Sequence, residues 1–340
     1  MIKQIIFLSL GWLMAVGVIS QPVQAAKQGL PTTNKATFQI RPELPADNLG
    51  GPHLGYYNLP LKANQARTVR LQLFNPTAQP LTITGQVQDA TTLTNATIDY
   101  LGHQPINRQL LQQPGSQLVS VPATTKLQPN ETKWLTIQIA AVQSLFNGQK
   151  AVAINLSAVQ PNPKKTIQNH YVYAVGLVLN GQPLTTKQYR APRSPRIKTK
   201  LKAQRAAIAV AIVNPNPAYL KPATIDVQLQ NKRWQLVHYQ RRLTQRKVAP
   251  NSQFDVELLL GGKRLVPGIY RMTLRVKSPQ LTRKIVKTVR ITKRQATYIN
   301  QRNADYQRHR LLIGLAGISV SSLSGFMSYR YYKRKRETAC

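Results

Sequence analysis

The chain has 340 residues, with 47 Lys and Arg against 10 Asp and Glu, for a formal net charge of +37. Its single cysteine, Cys340, excludes a disulfide-stapled scaffold. The carboxylates are too few and too scattered to propose a glycosidase-type acid pair.

At the start, Lys3 precedes an apolar stretch over 5–19, and Val23-Gln24-Ala25 supplies small residues for cleavage. This predicts a signal peptide at 1–25, with an uncleaved anchor as the alternative. A polar linker, 26–35, follows. The first β-sandwich is expected over 36–160. Phe38 and Ile40 alternate with polar neighbours, Val69, Leu71 and Leu73 share one face of a strand ending at Asn75-Pro76, and Leu81, Ile83 and Val87 face together. A Pro129-Asn130 turn then feeds the strand at 134–139, and 151–156 is a further strand.

Pro161-Asn-Pro-Lys-Lys165 reads as a boundary, and a second sandwich is expected over 161–300, opening with an apolar strand at 171–179. The pattern of the first half recurs there. The strand at 205–213 ends at Asn214-Pro215, and Val248-Ala-Pro250-Asn251 repeats Leu127-Gln-Pro129-Asn130. Pro267-Gly268 turns the chain into alternating 269–276, and 285–291 closes the domain. Residues 301–310 are expected as a juxtamembrane stalk. The run 311–327 (LLIGLAGISVSSLSGFM), followed by tyrosines and Arg330, Lys333, Arg334, Lys335 and Arg336, predicts a transmembrane helix over 311–328 and a basic cytoplasmic tail over 329–340. A buried core helix is the alternative. The fold class is therefore all-β, two tandem immunoglobulin-like antiparallel β-sandwich domains followed by a single C-terminal transmembrane helix. The expected localisation is the cell membrane, single-pass, with the ectodomain outside. An exported chain without disulfides points to a bacterial surface.

The charge is uneven. Residues 41–150 carry 8 basic and 5 acidic side chains, whereas 164–305 carry 29 and 4. An outward-facing domain this basic attracts polyanions such as teichoic acid. A solubility device at acidic pH accounts for the same excess, so both readings stand. His53, His103, His170, His238 and His309 show no metal-ligand spacing, and no phosphate loop or nucleophile elbow is present. This predicts a non-enzymatic binding protein with no metal and no cofactor.

Phe38-x-Ile40, Leu44-Pro45, Tyr57, Asn75, Thr97-Ile-Asp-Tyr100 and Phe146-x-Gly148 resemble the first module of the WxL-interacting proteins of Gram-positive bacteria. Tyr173-Ala-Val-Gly176, Val213-Asn214, Ala249-Pro-Asn-Ser252, Pro267-Gly268-x-Tyr270 and Ala296-x-x-Ile299-Asn300 resemble the second. The resemblance implies peptidoglycan binding by the first module, and host matrix or partner proteins for the second, in a surface complex with WxL-domain proteins. It departs from the family around Phe146, where Ala140-Ala141 and Gln149-Lys150 replace a proline and paired glycines.

Sugar rings stack on aromatics, so Tyr56, Tyr57 and Tyr100 are glycan candidates, with partial burial as the competing reading. For an anionic partner the candidates are Arg190, Arg193, Arg196, Lys198, Lys200, Lys232, Arg233, Arg241 and Arg242, with a solvated surface face as the favoured reading for any one of them alone. No specific nucleic acid is expected. Two other function classes remain: an extracytoplasmic chaperone or assembly factor lending an edge strand to a client, and an envelope enzyme whose site would be a deep polar pocket with His or carboxylates.

Overall fold

The computed structural model describes residues 38–159, 171–194 and 196–337. The signal peptide, the linker and the 161–165 boundary expected from the sequence lie outside these residues.

In chain order the first strands are β1 (Gln39–Glu43), β2 (Tyr57–Pro60), β3 (Arg67–Phe74), β4 (Leu81–Asp89), β5 (Thr91–Thr92), β6 (Ile98–Asp99), β7 (Val119–Ser120), β8 (Thr124–Leu127), β9 (Thr132–Ile139), β10 (Gln149–Ala158) and β11 (Val172–Asn180). They form sheets ordered β1-β3-β9-β7 and β2-β11-β10-β4-β8, with β5 and β6 a separate hairpin. The period-2 pattern explains the packing. Val69 and Leu71 lie opposite Ile137 and Leu135, and all four point into a core completed by Phe38, Ile154, Leu156 and Leu177.

The later strands are β12 (Ile197–Lys202), β13 (Arg205–Val213), β14 (Leu220–Asn231), β15 (His238–Val248), β16 (Gln253–Leu259), β17 (Gly268–Lys277) and β18 (Thr282–Ile291). Their sheets run β12-β13-β16 and β15-β14-β17-β18 over a second core that includes Ile208, Val227, Phe254, Tyr270 and Leu274. Two features differ from the sequence reading. The strand expected to open the second sandwich is β11, which is hydrogen-bonded between β10 and β2 in the first, because its Val175, Leu177 and Leu179 fill that core. The β11–β2 pair is parallel, so this sheet is mixed.

The internal repeat has a physical basis. Asn75 is fully buried; its side-chain amide donates to the carbonyls of Gln79 and Gln128, and its backbone N–H donates to Glu131 O. Asn214, 1% exposed, donates from its side chain to Ala218 and Ala249 and from its backbone to Ser252 O. Each asparagine thus pins its own loop to a Pro-Asn turn, and the turn residues Asn130 and Asn251 both have positive φ, which asparagine tolerates.

Helix α1 (Lys293–Arg302) begins at a Thr292–Gln295 capping box and buries Ala296 and Ile299, one turn apart, in the second core. Helix α2 (Ala304–Glu337) starts docked rather than as a free stalk: the Ala304 N–H donates to Gln204 O, and Asn303 donates from its side chain to Gly261 O. Among the described residues no helix is long and apolar enough to cross a membrane. This overturns the expected transmembrane helix, the single-pass localisation and the cytoplasmic tail. Four serines and three glycines interrupt the 311–327 run, and charged residues occupy both ends of α2.

Replacing either buried asparagine strands several backbone groups at once. Asn75→Ala and Asn214→Ala are each expected to lower the unfolding free energy by about 2–4 kcal/mol. Urea denaturation against the exposed strand control Gln138→Ala measures this, and two losses no larger than the control's would refute the clamp.

Candidate functional site

Three regions bear on function. The first is a seam between the sandwiches. The β5–β6 hairpin reaches into the second core, where Ala96 is fully buried. The Thr92 hydroxyl lies 2.9 Å from that of Ser252 and accepts the Ala249 N–H at 3.0 Å, while Gln149 N–H donates to Pro217 O at 2.6 Å. Tyr56 and Tyr100, both half-buried, pack with Tyr219, Ala151 and Val178. The Lys247 ammonium sits 4.5 Å from the Tyr219 ring centroid and 5.6 Å from that of Tyr56. Burial, with the nearby Lys221 charge, holds the Lys247 pKa below its ordinary value, and burial pushes the Tyr100 phenol up and the Tyr219 phenol well up.

Two of the three tyrosines proposed from sequence therefore meet, but in a joint rather than on an open platform. The third is corrected outright. Tyr57 is 0% exposed, with its hydroxyl donating to Arg70 O at 2.6 Å, because the alternation of β2 turns it inward with Leu59. It cannot stack on a sugar.

The second region is a pocket of about 390 Å³ in the first sandwich, lined by Gln113, Gln117, Gln143, Ser144, Phe146 and Lys150 among others. Lys150 is the buried member of this lining. Its side chain lies 4.5 Å over the Phe146 ring and donates to Gln113 O at 2.5 Å; burial lowers its pKa, with the Asp89 carboxylate opposing. Amides, a hydroxyl, one aromatic ring and one ammonium suit a ligand that carries hydroxyl, acetamido and carboxylate groups. Sequence reading missed this constellation because Gln113 and Gln117 come from a weakly patterned segment far along the chain from Phe146. The Phe146-x-Gly148 motif was its one visible sign.

The third region is the basic second sandwich, where the proposed cations do not converge. Arg190, Arg193 and Arg196 are exposed on the segment before β12, and Arg193 also borders a 460 Å³ cavity. Lys198 and Lys200 lie on β12, where Lys200 is paired with Asp255 at 2.7 Å and Glu257 at 3.6 Å. Lys232 and Arg233 occupy the β14–β15 turn, with Arg233 stacked on Trp234. Arg241 turns toward the opposite sheet and donates to Glu257 O at 2.6 Å, whereas its neighbour Arg242 is exposed. Reading contiguous runs overlooked Arg271, Arg275 and Lys277 of β17 and Lys284 and Arg290 of β18, which the alternation places on one face. Among the described residues no group of three His, Cys, Asp or Glu side chains could hold a metal.

Comparison with known proteins gives two tandem matches that divide the chain between β10 and β11, one strand before the point where the sheets divide. Residues 38–158 match the family model "WxL Interacting Protein, peptidoglycan binding domain", and residues 162–301 match "WxL Interacting Protein, host binding domain". No curated protein matches. Similar solved structures include the CsuC–CsuE chaperone–tip adhesion subunit complex of Acinetobacter baumannii (11% identity, covering 74% of this chain and 98% of that one, TM-score 0.32). The Pseudomonas aeruginosa CupB2 chaperone is another (17%, 66% and 93%, TM-score 0.27), as is the E. coli chaperone DraB (12%, 65% and 89%, TM-score 0.26). Scores this low carry no functional argument.

The buried phenols give a pH dependence. Burial raises the pKa of Tyr57, Tyr219 and Tyr239. Below the unfolded tyrosine pKa of about 10 both states keep the proton and nothing is lost. Above it the unfolded chain ionises first, so stability falls as pH rises. Tyr57→Phe is expected to lose about 1 kcal/mol at neutral pH through its hydrogen bond, yet to decline less steeply above pH about 10. Thermal unfolding across the alkaline range checks this; equal slopes for the two proteins would contradict it.

Proposed function

The chain belongs to the WxL-interacting protein family, and on that premise we propose that it is a non-enzymatic adhesin or scaffold of the Gram-positive cell surface. Its first sandwich holds peptidoglycan and its second holds host matrix proteins or WxL-domain partner proteins. The observation that carries this reading is the tandem match to a peptidoglycan-binding and a host-binding domain.

Within the first sandwich we assign the glycan contact to the Phe146–Lys150 pocket. Its exposed glutamines can donate to and accept from sugar hydroxyls, Phe146 offers a ring face, and the ammonium complements a carboxylate of a stem peptide. Tyr56 and Tyr100 take a supporting role, holding the seam with Tyr219. Teichoic acid is a secondary, electrostatic partner of the second sandwich.

The chaperone reading is favoured by one observation: β18 is a ten-residue edge strand paired on one side only. It ranks second because Arg283, Lys284, Lys287 and Arg290 put on that edge the charges that discourage strand addition.

A pull-down of the full chain on insoluble peptidoglycan, before and after teichoic acid is stripped, at low and high salt, tests the first assignment. Retention on stripped wall at high salt is expected, and Gln117→Ala with Gln143→Ala should weaken it about tenfold with the thermal midpoint unchanged. Loss of binding on stripping or with salt would remove the peptidoglycan role, since only screened polyanion attraction behaves that way.

A further inference from the structure

The outer face of the four-stranded sheet carries a charge pattern that its own packing does not use. In β17, Tyr270, Met272, Leu274 and Val276 are buried, so the intervening Arg271, Thr273, Arg275 and Lys277 face outward. Their partners across the strand pair on β18 are Thr288, Val286, Lys284 and Thr282, and Arg290 lies opposite Ile269. Five cations thus share two adjacent strands, with threonine hydroxyls between them. Strand geometry puts Arg275 about 7 Å from Lys277 and about 14 Å from Arg271 along β17, Lys284 about 20 Å from Arg290 along β18, and Arg275 about 5 Å from Lys284 across the pair.

Neutralising groups are scarce. Among the described residues Asp226, one strand over, is the acidic side chain on this face, and Arg275 donates to it at 3.3 Å. Asp255 and Glu257 are on the other sheet, paired with Lys200. Arg275 and Lys284 stand directly opposite each other, a like-charge arrangement that opposes strand pairing. Val286 and Ile269, 52% and 50% exposed, leave the same face partly apolar.

We propose that the outer face of β17 and β18 is the docking surface for an extended sulfated glycan of the host. The inference rests on the host-binding reading of the second sandwich and names the chemical class of its ligand. Extent decides the class: three cations spread over about 20 Å of β17, with Lys284 and Arg290 beside them on an open surface, match an extended polymer bearing several anions rather than one small anion. Guanidinium groups bind the planar oxygen pairs of sulfate in fork geometry. The threonine hydroxyls can donate to ring and sulfate oxygens, and the two apolar side chains can meet the faces of sugar rings.

Heparin is the probe, with the full chain as the protein. Arg271→Glu/Lys277→Glu/Arg290→Glu is expected to weaken heparin binding at least about tenfold and to flatten its salt dependence. The same number of reversals at Arg193, Arg196 and Lys198, off this face, should change it by less than about threefold. Lys284→Glu places opposite charges across the pair with Arg275, so it should keep or raise the thermal midpoint while weakening binding, which separates the site from the fold. Equal losses from both triple variants would overturn the proposal, as would equal affinity for desulfated heparin or for poly(glycerol phosphate). Binding to host-cell matrix is measured in parallel. Matrix binding that survives both the face variant and removal of sulfated glycans sinks this inference and leaves host binding intact, and absence of any matrix binding sinks the host-binding reading itself.

Discussion

The arrangement of the molecule depends on Asn214 and on the hydrogen bonds that only a buried asparagine can make there. Its side-chain amide holds the carbonyls of Ala218 and Ala249, and its side-chain oxygen accepts from the backbone and side chain of Asn216. With donors and acceptor all satisfied, burial stabilises rather than penalises the group. The loop it fixes carries Pro217, whose carbonyl accepts the Gln149 N–H, and Tyr219, the centre of the aromatic seam. Gly148 and Gly181 make the close approach possible. A Cβ at Gly148 would lie 1.9 Å from Pro217 O, and one at Gly181 would lie 2.0 Å from Phe146 O. Clamp, seam and Phe146 pocket are consequently one continuous piece of structure.

That continuity changes what the tyrosines are for. Tyr56 and Tyr100 look, in a turn-rich sequence, like rings waiting for a sugar. In the fold they fill the joint, where an aliphatic side chain in place of Tyr56 or Tyr219 would fill space but could not receive the Lys247 charge. A half-buried lysine needs such a neighbour, because its desolvation has no carboxylate nearby to offset it. The joint therefore combines apolar area, backbone hydrogen bonds and a cation–π contact. None of the three alone would keep two sandwiches in fixed register.

The sequence was most legible where period 2 is strict. Val69-x-Leu71-x-Leu73 and Tyr270-x-Met272-x-Leu274 are core faces as read, and the Asn-Pro and Pro-Asn repeats mark equivalent corners. Legibility failed where a long-range partner decides the outcome. Residues 171–179 read as a strand, but nothing local says that β10 and β2 will claim it. Tyr57 alternates with Leu59, a signal available in the sequence that the search for exposed aromatics passed over. The apolar run at 311–327 has the length of a span, yet its serines and glycines and the charged ends of α2 leave no helix apolar enough among the described residues. The cations of β17 and β18 were hidden by the alternation that organises them, since a search for runs sees Arg271, Arg275 and Lys277 as isolated charges.

The same alternation explains how one domain tolerates so large an excess of positive charge. Charges clustered in a loop can relax apart into solvent, at little gain and little cost. Cations fixed on a pleated sheet cannot, because neighbouring strands hold them in register, and Arg275 must face Lys284 whatever the ionic strength. Folding thus places on this surface a repulsion that Asp226 offsets only in part, through Arg275, and that an external anion can relieve further. The inward-facing residues of β17 supply the apolar burial that offsets it. A surface held in mild electrostatic strain by a well-packed interior is already organised for a charged partner, and binding then gains from relief of that repulsion as well as from new contacts.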